Sequence, residues 1–440
     1  MIPVDEAPQS AIVIHPVVRS ENRELDPENG LNEAVGLTLA LDLVVSHAQT
    51  LKIKKIIPAT FLGGGAIEQL KDNLQAEQAD LLIFNGQLTP VQQRNLEERL
   101  HVKVLDRTGL ILEIFSKRAR TKEGRLQVEL ARISYERSRL VRTWTHLERQ
   151  RGGKGFLAGP GERQIESDRR ALSEKAISLG RLLEKVRRTR QLHRQARVKR
   201  DCPMIALVGY TNAGKSTLFN QLTEANVLVE DMLFATLDPT IREIILENNK
   251  EAVLSDTVGF ISNLPTELIA AFRATLEEVT QADLILHVRD IASAQTLEQK
   301  QDVESVLKKL KEEGGSEPKM LEVWNKIDLL SEEDLDYLRG KAKKMDMPPV
   351  LISAETGVGL DALLERVSGI LQTREQTIEL VVPSNSGAAL SWLHTNGQVL
   401  SCEPDEFGDL ACVVKLNQIA VGRFQSAFPK LLPAPNNSRW

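Results

Sequence analysis

One stretch of eight residues has the composition and spacing of a phosphate-binding loop. It runs from Gly209 to Ser216, fits the pattern G-x-x-x-x-G-K-S/T, and follows the apolar strand pattern 204–208. In such a loop, backbone N–H groups and the N-terminus of the following helix face phosphate oxygens. Lys215 can reach the terminal phosphates, and the Ser216 hydroxyl can ligate Mg²⁺. The residues predicted to form this loop are Gly209, Tyr210, Thr211, Asn212, Ala213, Gly214, Lys215, Ser216 and Thr217.

Three later motifs, each placed after an apolar strand pattern, complete the predicted site and indicate guanine as the base. Asp256 can hold Mg²⁺ through water, and the Gly259 N–H can contact a γ-phosphate. Asp328 can accept two hydrogen bonds from guanine N1 and N2, a donor pair that adenine lacks. The backbone after Ser353 suits guanine O6. The residues of these motifs are Asp256, Thr257, Val258, Gly259, Asn325, Lys326, Ile327, Asp328, Ser353, Ala354 and Glu355.

The segment between the loop and Asp256 contains the candidates for a switch threonine that ligates Mg²⁺. Thr236 and Thr240 both qualify, and spacing alone leaves the choice open. The nucleotide-contacting residues predicted here are Phe234, Ala235, Thr236, Leu237 and Asp238. Phe260 occupies the position at which many GTPases place a water-orienting Gln, so we expect slow intrinsic hydrolysis. Asn212 could hold K⁺ against the phosphates, or it could merely brace the loop.

Composition sets broad limits on the class of protein. The chain has 440 residues, of which 42% are hydrophobic, enough for two to four packed domains. It has no apolar run of membrane-spanning length and no signal-peptide pattern, so we expect a cytoplasmic protein without a membrane span. The three cysteines lack metal-binding spacing and fit a reducing cytoplasm, and Cys402 and Cys412 are expected to be buried small hydrophobic side chains rather than a redox pair.

Positive charge is concentrated in residues 118–200. This segment holds 24 Lys and Arg against 9 Asp and Glu, whereas the whole chain has 56 and 61. Apolar residues recur there at steps of 3 and 4 in two stretches. Residues 152–161 between them contain five glycines and one proline, which excludes a continuous helix. The pattern predicts a basic antiparallel helical hairpin with a flexible tip that binds nucleic acid. A dimerising coiled coil is the alternative.

The remaining segments predict an α/β chain of four domains. Residues 31–116 alternate helix and strand patterns, including a helix over 31–48 and a strand over 53–57, which indicates a small parallel α/β domain. Three strand patterns and one helix pattern after residue 373 indicate a small α+β domain. The P-loop GTPase domain between them should have a mostly parallel sheet. The predicted domains are an N-terminal α/β domain (1–117), the hairpin (118–200), the GTPase domain (201–372) and a C-terminal domain (373–440).

Over about residues 60–372 the chain resembles the HflX family of translational GTPases. The matching motifs are 106–112, 126–131, 144–150, 159–162, 168–170, 209–216, 234–240 and 256–260. The resemblance implies a protein that binds the large ribosomal subunit near the peptidyl-transferase centre and splits stalled ribosomes in a GTP-dependent way. It also implies that the ribosome stimulates GTP hydrolysis to GDP and phosphate.

The resemblance assigns further roles to individual residues. It selects Thr236 as the Mg²⁺ threonine, so that Lys215, Thr236 and Gly259 are the candidate catalytic residues. It directs the hairpin tip at ribosomal RNA, although the family commonly has Thr where this chain has Arg163. The expected RNA-contacting residues are Gly152, Gly153, Lys154, Gly155, Arg163, Arg169 and Arg170.

The expected partners are GTP or GDP and the large ribosomal subunit with its RNA, and the expected cofactors are Mg²⁺ and possible K⁺. We expect a monomer. Two other functions fit the residues: a GTP-dependent protein-interaction switch, and an RNA-remodelling ATPase driven by the N-terminal domain.

Overall fold

The computed structural model divides the chain into two compact units. The first consists of Met1–Ile245 with Glu251–Leu360, and the second of Leu246–Lys250 with Asp361–Trp440. The structure describes residues 9–18, 27–144, 160–199, 202–223, 232–234, 236, 240–246, 250–262, 278–312, 319–372, 375–384, 386–404, 408–429 and 431.

The first unit begins with a parallel four-stranded sheet in the order β2-β1-β3-β4. Its strands are β1 (Ser10–Val18), β2 (Val44–Ile53), β3 (Leu81–Phe84) and β4 (Lys103–Asp106). Its helices are α1 (Pro27–Leu39), α2 (Gly64–Ala76), α3 (Pro90–Leu100) and α4 (Arg107–Arg118). All four residues of β3 are buried, because helices alternate with the strands and cover both faces of the sheet. The predicted parallel α/β fold is confirmed.

The limits of two elements in this sheet differ from those predicted. The helix predicted over 31–48 ends at Leu39, and the strand predicted over 53–57 is wrong because β2 ends at Ile53. Asp42 has a φ of 60°, which a right-handed helix cannot accommodate. The β-branched residues Val44 and Val45 then begin the strand. Apolar side chains with helical spacing concealed this change from the sequence pattern.

The basic segment forms two long helices, α5 (Lys122–Trp144) and α6 (Pro160–Lys199). The two helices pack against each other, and Leu179 and Leu183 of α6 are buried. Val128 and Ala131 of α5 are also buried, in the same apolar cluster as Leu110 and Phe115 of α4. This agrees with the predicted helical hairpin. The glycine-rich tip falls outside the described residues. Among the helices that the structure describes, none is both long and apolar enough to cross a membrane.

The GTPase sheet of the first unit has the order β10-β9-β8-β5-β7-β6. Its strands are β5 (Met204–Val208), β6 (Thr240–Ile245), β7 (Glu251–Asp256), β8 (Leu284–Asp290), β9 (Lys319–Asn325) and β10 (Val350–Leu351). Its helices are α7 (Lys215–Thr223), α8 (Thr296–Glu312) and α9 (Glu332–Ala342). Only the edge strand β6 is antiparallel to its neighbour. The carboxyl ends of the other strands therefore meet at one edge, where the sequence motifs follow them.

The second unit contains an antiparallel sheet in the order β11-β13-β12. Its elements are α10 (Leu360–Gln372), β11 (Glu375–Val382), α11 (Gly387–Asn396), β12 (Gln398–Pro404), β13 (Leu410–Asn417) and α12 (Gln418–Ala427). Cys402 and Cys412 are joined by a disulfide, so the expectation that they do not form a redox pair is wrong, although Cys412 is buried as expected. The strand register sets the two residues directly opposite each other, which sequence spacing does not reveal.

Candidate nucleotide site

The phosphate-binding loop lies between β5 and α7 and is held by an asparagine from β9. Gly214 has a φ of 87°, and a Cβ there would lie 2.2 Å from Asn325 Nδ2, so only glycine fits. Asn325 Nδ2 donates to the Ala213 carbonyl at 2.8 Å, and its Oδ1 accepts from the Ala354 N–H at 2.9 Å. A single side chain thus ties the phosphate side of the site to the base side.

Lys215 is the buried cation of this loop. Lys215 is 6% exposed, and its Nζ donates to the Tyr210 carbonyl at 2.7 Å. Burial lowers the pKa of Lys215 to about 8, although the Asp256 carboxylate opposes the shift. Terminal phosphates would add negative charge beside the ammonium and favour its protonated form.

Oxygen atoms of Ser216, Thr236 and Asp256 converge beside the loop. Ser216 Oγ donates to Asp256 Oδ2 at 2.8 Å and lies 2.9 Å from Thr236 Oγ1. Asp256 is fully buried, and among the described residues its Oδ1 has no hydrogen-bond partner. Burial raises the pKa of Asp256, against the opposing charge of Lys215. Hydroxyl and carboxylate oxygens are the ligands that Mg²⁺ prefers, so the group fits a Mg²⁺ site.

Gly259 and Phe260 lie directly against the phosphate-binding loop. The Thr211 N–H donates to the Phe260 carbonyl at 2.8 Å, and the Phe260 N–H donates to the Gly209 carbonyl at 3.1 Å. A Cβ on Gly259 would lie 2.7 Å from Thr211 Cγ2 and 3.0 Å from Lys215 Nζ. Gly259 therefore covers the ammonium that a γ-phosphate would contact.

The residues predicted to bind guanine lie at the same edge of the sheet. Lys326 adopts a left-handed backbone with a φ of 65°, and its Nζ pairs with Asp290 Oδ2 at 2.8 Å. Asp328 is exposed in the short 3-10 turn Ile327–Leu329. Ser353 is fully buried next to Ala354, whose N–H is bound to Asn325. An exposed carboxylate beside a fixed backbone can accept hydrogen bonds from a purine base.

Not every predicted site residue can be placed. Thr236 lies beside Ser216, whereas Thr240 begins β6. Arg169 and Arg170 are exposed on α6, and Arg163 lies in the same helix. The predicted residues outside the described part of the chain are Ala235, Leu237, Asp238, Gly152, Gly153, Lys154 and Gly155.

A polar cluster that sequence reasoning missed connects the loop to the N-terminal sheet. Tyr210 Oη donates to Glu33 Oε1 at 2.8 Å and accepts from the Ser262 N–H at 2.6 Å. Ser262 Oγ donates to Glu33 Oε2 at 2.8 Å. Arg107 Nη2 donates to Glu33 Oε2 and to the Ser262 carbonyl, each at 2.9 Å. The only sequence signal was the motif 106–112, which contains Arg107 but suggested no contact.

Apolar packing accompanies these polar contacts. The rings of Phe115 on α4 and Phe234 in the switch segment meet edge to face, with their centroids 4.9 Å apart. Leu110 of α4 belongs to the same buried apolar cluster as Phe234, Phe260 and Ile261. Both segments that are expected to respond to nucleotide therefore pack with the N-terminal sheet.

Comparisons with known proteins agree over almost the whole chain. Family models described as "GTP-binding GTPase N-terminal", "GTP-binding GTPase Middle Region" and "50S ribosome-binding GTPase" match residues 28–116, 118–197 and 204–326. The GTPase HflX of Magnetococcus marinus is 45% identical over 428 residues, 97% of this chain and 96% of the relative. The GTPase HflX of Escherichia coli K12 is 43% identical over 379 residues, 85% of this chain and 86% of the relative.

Among solved structures, the chain is similar to a GTP-binding protein from Sulfolobus solfataricus in complex with GDP. The sequence identity is 25% and the TM-score is 0.44, and the match covers 83% of this chain and 99% of that chain.

Proposed function

Because the chain belongs to the GTPase HflX family, and therefore binds and hydrolyses GTP, we propose that it uses this cycle to bind the large ribosomal subunit and to separate the subunits of stalled ribosomes. The family model that matches residues 204–326 is described as "50S ribosome-binding GTPase". This description supports the large ribosomal subunit as the partner. The observation that carries the proposal is the hairpin of residues 118–200, with 24 basic against 9 acidic residues. When such a surface binds RNA, the counterions condensed on the RNA phosphates are released, which favours binding.

The shape of the hairpin suits a reach into a structured RNA. Helix α6 has 40 residues and is thus about 60 Å long. Arg169 and Arg170 are exposed on it. We assign them to phosphate contacts, together with Arg163 and the tip residues Gly152, Gly153, Lys154 and Gly155.

The site residues take roles that follow from their chemistry. Lys215 and the loop N–H groups stabilise charge on the transferred phosphoryl group, and the Gly259 N–H binds the γ-phosphate. Ser216 and Thr236 would hold Mg²⁺ directly and Asp256 would hold it through water. When bound, Mg²⁺ neutralises charge on the phosphate oxygens.

Base selection and a monovalent cation complete the proposed site. Asp328 accepts from guanine N1 and N2. Asn212 has a φ of 59°, a left-handed conformation that Asn tolerates better than most residues. Its amide oxygen would hold K⁺, which adds positive charge beside the phosphates. Phe260 cannot orient a water molecule, so this charge and the ribosome would together complete the catalytic site.

The contacts of the switch segments suggest how nucleotide binding changes ribosome affinity. We infer that GTP binding displaces Gly259 from the phosphate-binding loop, and with it Ser262, which is bonded to Glu33 and Arg107. The N-terminal sheet therefore responds to the nucleotide, and the hairpin follows. The GTP form docks, and hydrolysis releases it.

We further propose that the protein acts as a cytoplasmic monomer of four domains. Their limits are 1–117, 118–200, 201–372 and 373–440.

Light scattering of whole ribosomes tests the splitting activity. Adding the protein with GTP should lower the scattered intensity, and adding it with GDP should leave it unchanged. Charge reversal at Arg169 and Arg170 should abolish the effect, whereas reversal at the exposed Lys343 and Lys344 on the GTPase side should not. An unchanged signal with GTP would overturn the proposal. Binding with little salt dependence would instead indicate a protein partner.

A further inference from the structure

Two adjacent buried residues, Asp106 and Arg107, form the junction between β4 and α4. Asp106 is the last residue of β4 and the N-cap of α4, and its Oδ1 accepts from the Gly109 N–H at 2.8 Å. Asp106 is 2% exposed and Arg107 is 6% exposed. A Cβ on Gly109 would lie 3.2 Å from Asp106 Oδ1, so the turn is tightly packed. The two side chains are therefore fixed by a shared, rigid piece of backbone.

Asp106 binds the first helix of the basic hairpin. Tyr135 Oη donates to its Oδ1 at 2.6 Å, and Arg139 Nη2 donates to its Oδ2 at 2.5 Å. The Arg139 guanidinium also lies 4.2 Å from the centre of the Tyr135 ring. Because Tyr135 and Arg139 are four residues apart on α5, they extend from the same face of that helix. Hydrogen bonds to a buried carboxylate are strong and directional, so they fix the hairpin to the sheet.

Arg107 binds the segment that follows Gly259. Its Nη2 donates to the Ser262 carbonyl at 2.9 Å, to Ser262 Oγ at 3.2 Å and to Glu33 Oε2 at 2.9 Å. Its Nη1 donates to Asn85 Oδ1 at 2.6 Å. The guanidinium thus joins Ser262 to α1 and to the loop after β3. A shift of Ser262 must either break this set of bonds or move the N-terminal sheet with it.

We propose that Asp106 and Arg107 are positioning residues that transmit the nucleotide state from Ser262 to the RNA-binding hairpin, an inference that rests on the proposed ribosomal function. Arg107 receives the movement and Asp106 passes it to α5. Since the two residues are consecutive, no flexible segment intervenes. The hairpin and the N-terminal sheet therefore move as one body relative to the GTPase sheet.

Pulsed electron paramagnetic resonance on the full chain measures this movement without ribosomes. Spin labels are attached to cysteines that replace the exposed residues Glu166 on α6, Asp72 on α2 and Glu333 on α9, in a protein that also carries Cys202→Ser. One labelled protein has the pair 166 and 72, and the other has the pair 166 and 333. The distribution of distances between the labels at 166 and 72 should be narrow, and it should be the same with GDP and with a non-hydrolysable GTP analogue. The distance from 166 to 333 should shift between the two nucleotides.

Variants separate the two halves of the junction. Arg139→Gln should broaden the 166-to-72 distribution. Arg139→Lys, which keeps the positive charge, should broaden it less. The pair Arg107→Gln with Glu33→Gln removes both buried charges together and should abolish the 166-to-333 shift while keeping 166-to-72 narrow. Arg188→Gln is the control, since Arg188 is exposed on α6 and pairs with Glu184 of its own helix. A full shift in the double variant would overturn the inference.

Affinity for purified large subunits distinguishes this inference from the proposed function. In the unsubstituted protein the affinity with the GTP analogue should exceed that with GDP at least tenfold, and in the double variant the ratio should approach one. If the unsubstituted protein shows the distance shift but no affinity ratio, the ribosomal proposal fails and the transmission stands. If it shows no distance shift, the transmission is wrong whatever the ribosome does.

Discussion

The phenolic oxygen of Tyr210 accepts a hydrogen bond from the backbone N–H of Ser262 at 2.6 Å. This bond joins the phosphate-binding loop to the segment that lies over Lys215. The Thr211 N–H also holds this segment against the loop, by donating to the Phe260 carbonyl at 2.8 Å. We call this contact between the loop and the segment the closure. We propose that a γ-phosphate opens this arrangement, whereas GDP does not. The strength of the closure should therefore set the relative affinity for the two nucleotides.

Tyr210→Phe is expected to favour GTP. The substitution keeps the ring but removes the hydroxyl that binds Ser262 and Glu33, which weakens the closed form by about 1–3 kcal/mol. The ratio of GTP to GDP affinity should rise about fivefold or more. Titration with fluorescent nucleotides measures both constants. Tyr135→Phe, on the hairpin side, should leave the ratio unchanged, and an unchanged ratio in Tyr210→Phe would contradict the closure.

Asn212→Gly is expected to abolish a preference for K⁺ over Na⁺ in GTP hydrolysis. Glycine retains the left-handed backbone at a φ of 59° and removes only the carboxamide. GDP affinity should stay within about threefold, because the loop N–H groups that bind phosphate are unaltered. Hydrolysis rates in the two salts provide the measurement. A K⁺ preference that survives in the variant would exclude Asn212 as its ligand.

Asp328→Asn is expected to change the base that the site accepts. The amide presents a donor to guanine N1–H and N2–H, so GTP affinity should fall at least about a hundredfold. Xanthosine triphosphate, which carries a carbonyl in place of the N2 amino group, should bind better than GTP. Calorimetric titration compares the two. Asp346→Asn, at another exposed aspartate of the same unit, serves as the control.

The protein is expected to lose stability on mild acidification, because His287 is buried. Burial lowers its pKa to about 4, with Glu322 opposing and Arg289 and Lys300 assisting. The unfolded chain, with an ordinary histidine pKa near 6.5, binds more protons between about pH 6.5 and pH 4. The free energy of unfolding should therefore fall as pH falls through this range, by up to about 3 kcal/mol.

His287→Gln should flatten that dependence in calorimetric transition temperatures recorded from pH 7 to pH 4.5. His394→Gln, at an exposed histidine, should retain the slope of the unsubstituted protein. An unaltered slope in His287→Gln would show that other groups cause the acid sensitivity.

Local sequence was sufficient for the nucleotide motifs because each one follows its own strand. Gly214, Lys215 and Ser216 are neighbours in the chain, and parallel strands bring Asp256 and Asn325 to the same sheet edge. The hairpin was predictable for a similar reason, since helical periodicity and a glycine-rich interruption are local properties.

Contacts between distant segments could not be predicted in this way. Glu33 and Ser262 are 229 residues apart, and Arg107 is 155 residues from Ser262, so no spacing rule connects them. The end of α1 at Leu39 also escaped prediction, because the apolar residues of β2 continue its spacing. Tertiary packing decides both features.

Stimulation of GTP hydrolysis by purified large ribosomal subunits tests the central claim most directly. Rates should be measured with and without subunits, in K⁺ and in Na⁺ buffers. We predict slow hydrolysis by the protein alone, because Phe260 cannot orient water, and a large increase when subunits are added. Hydrolysis that large subunits do not accelerate in either buffer would contradict a ribosome-coupled GTPase.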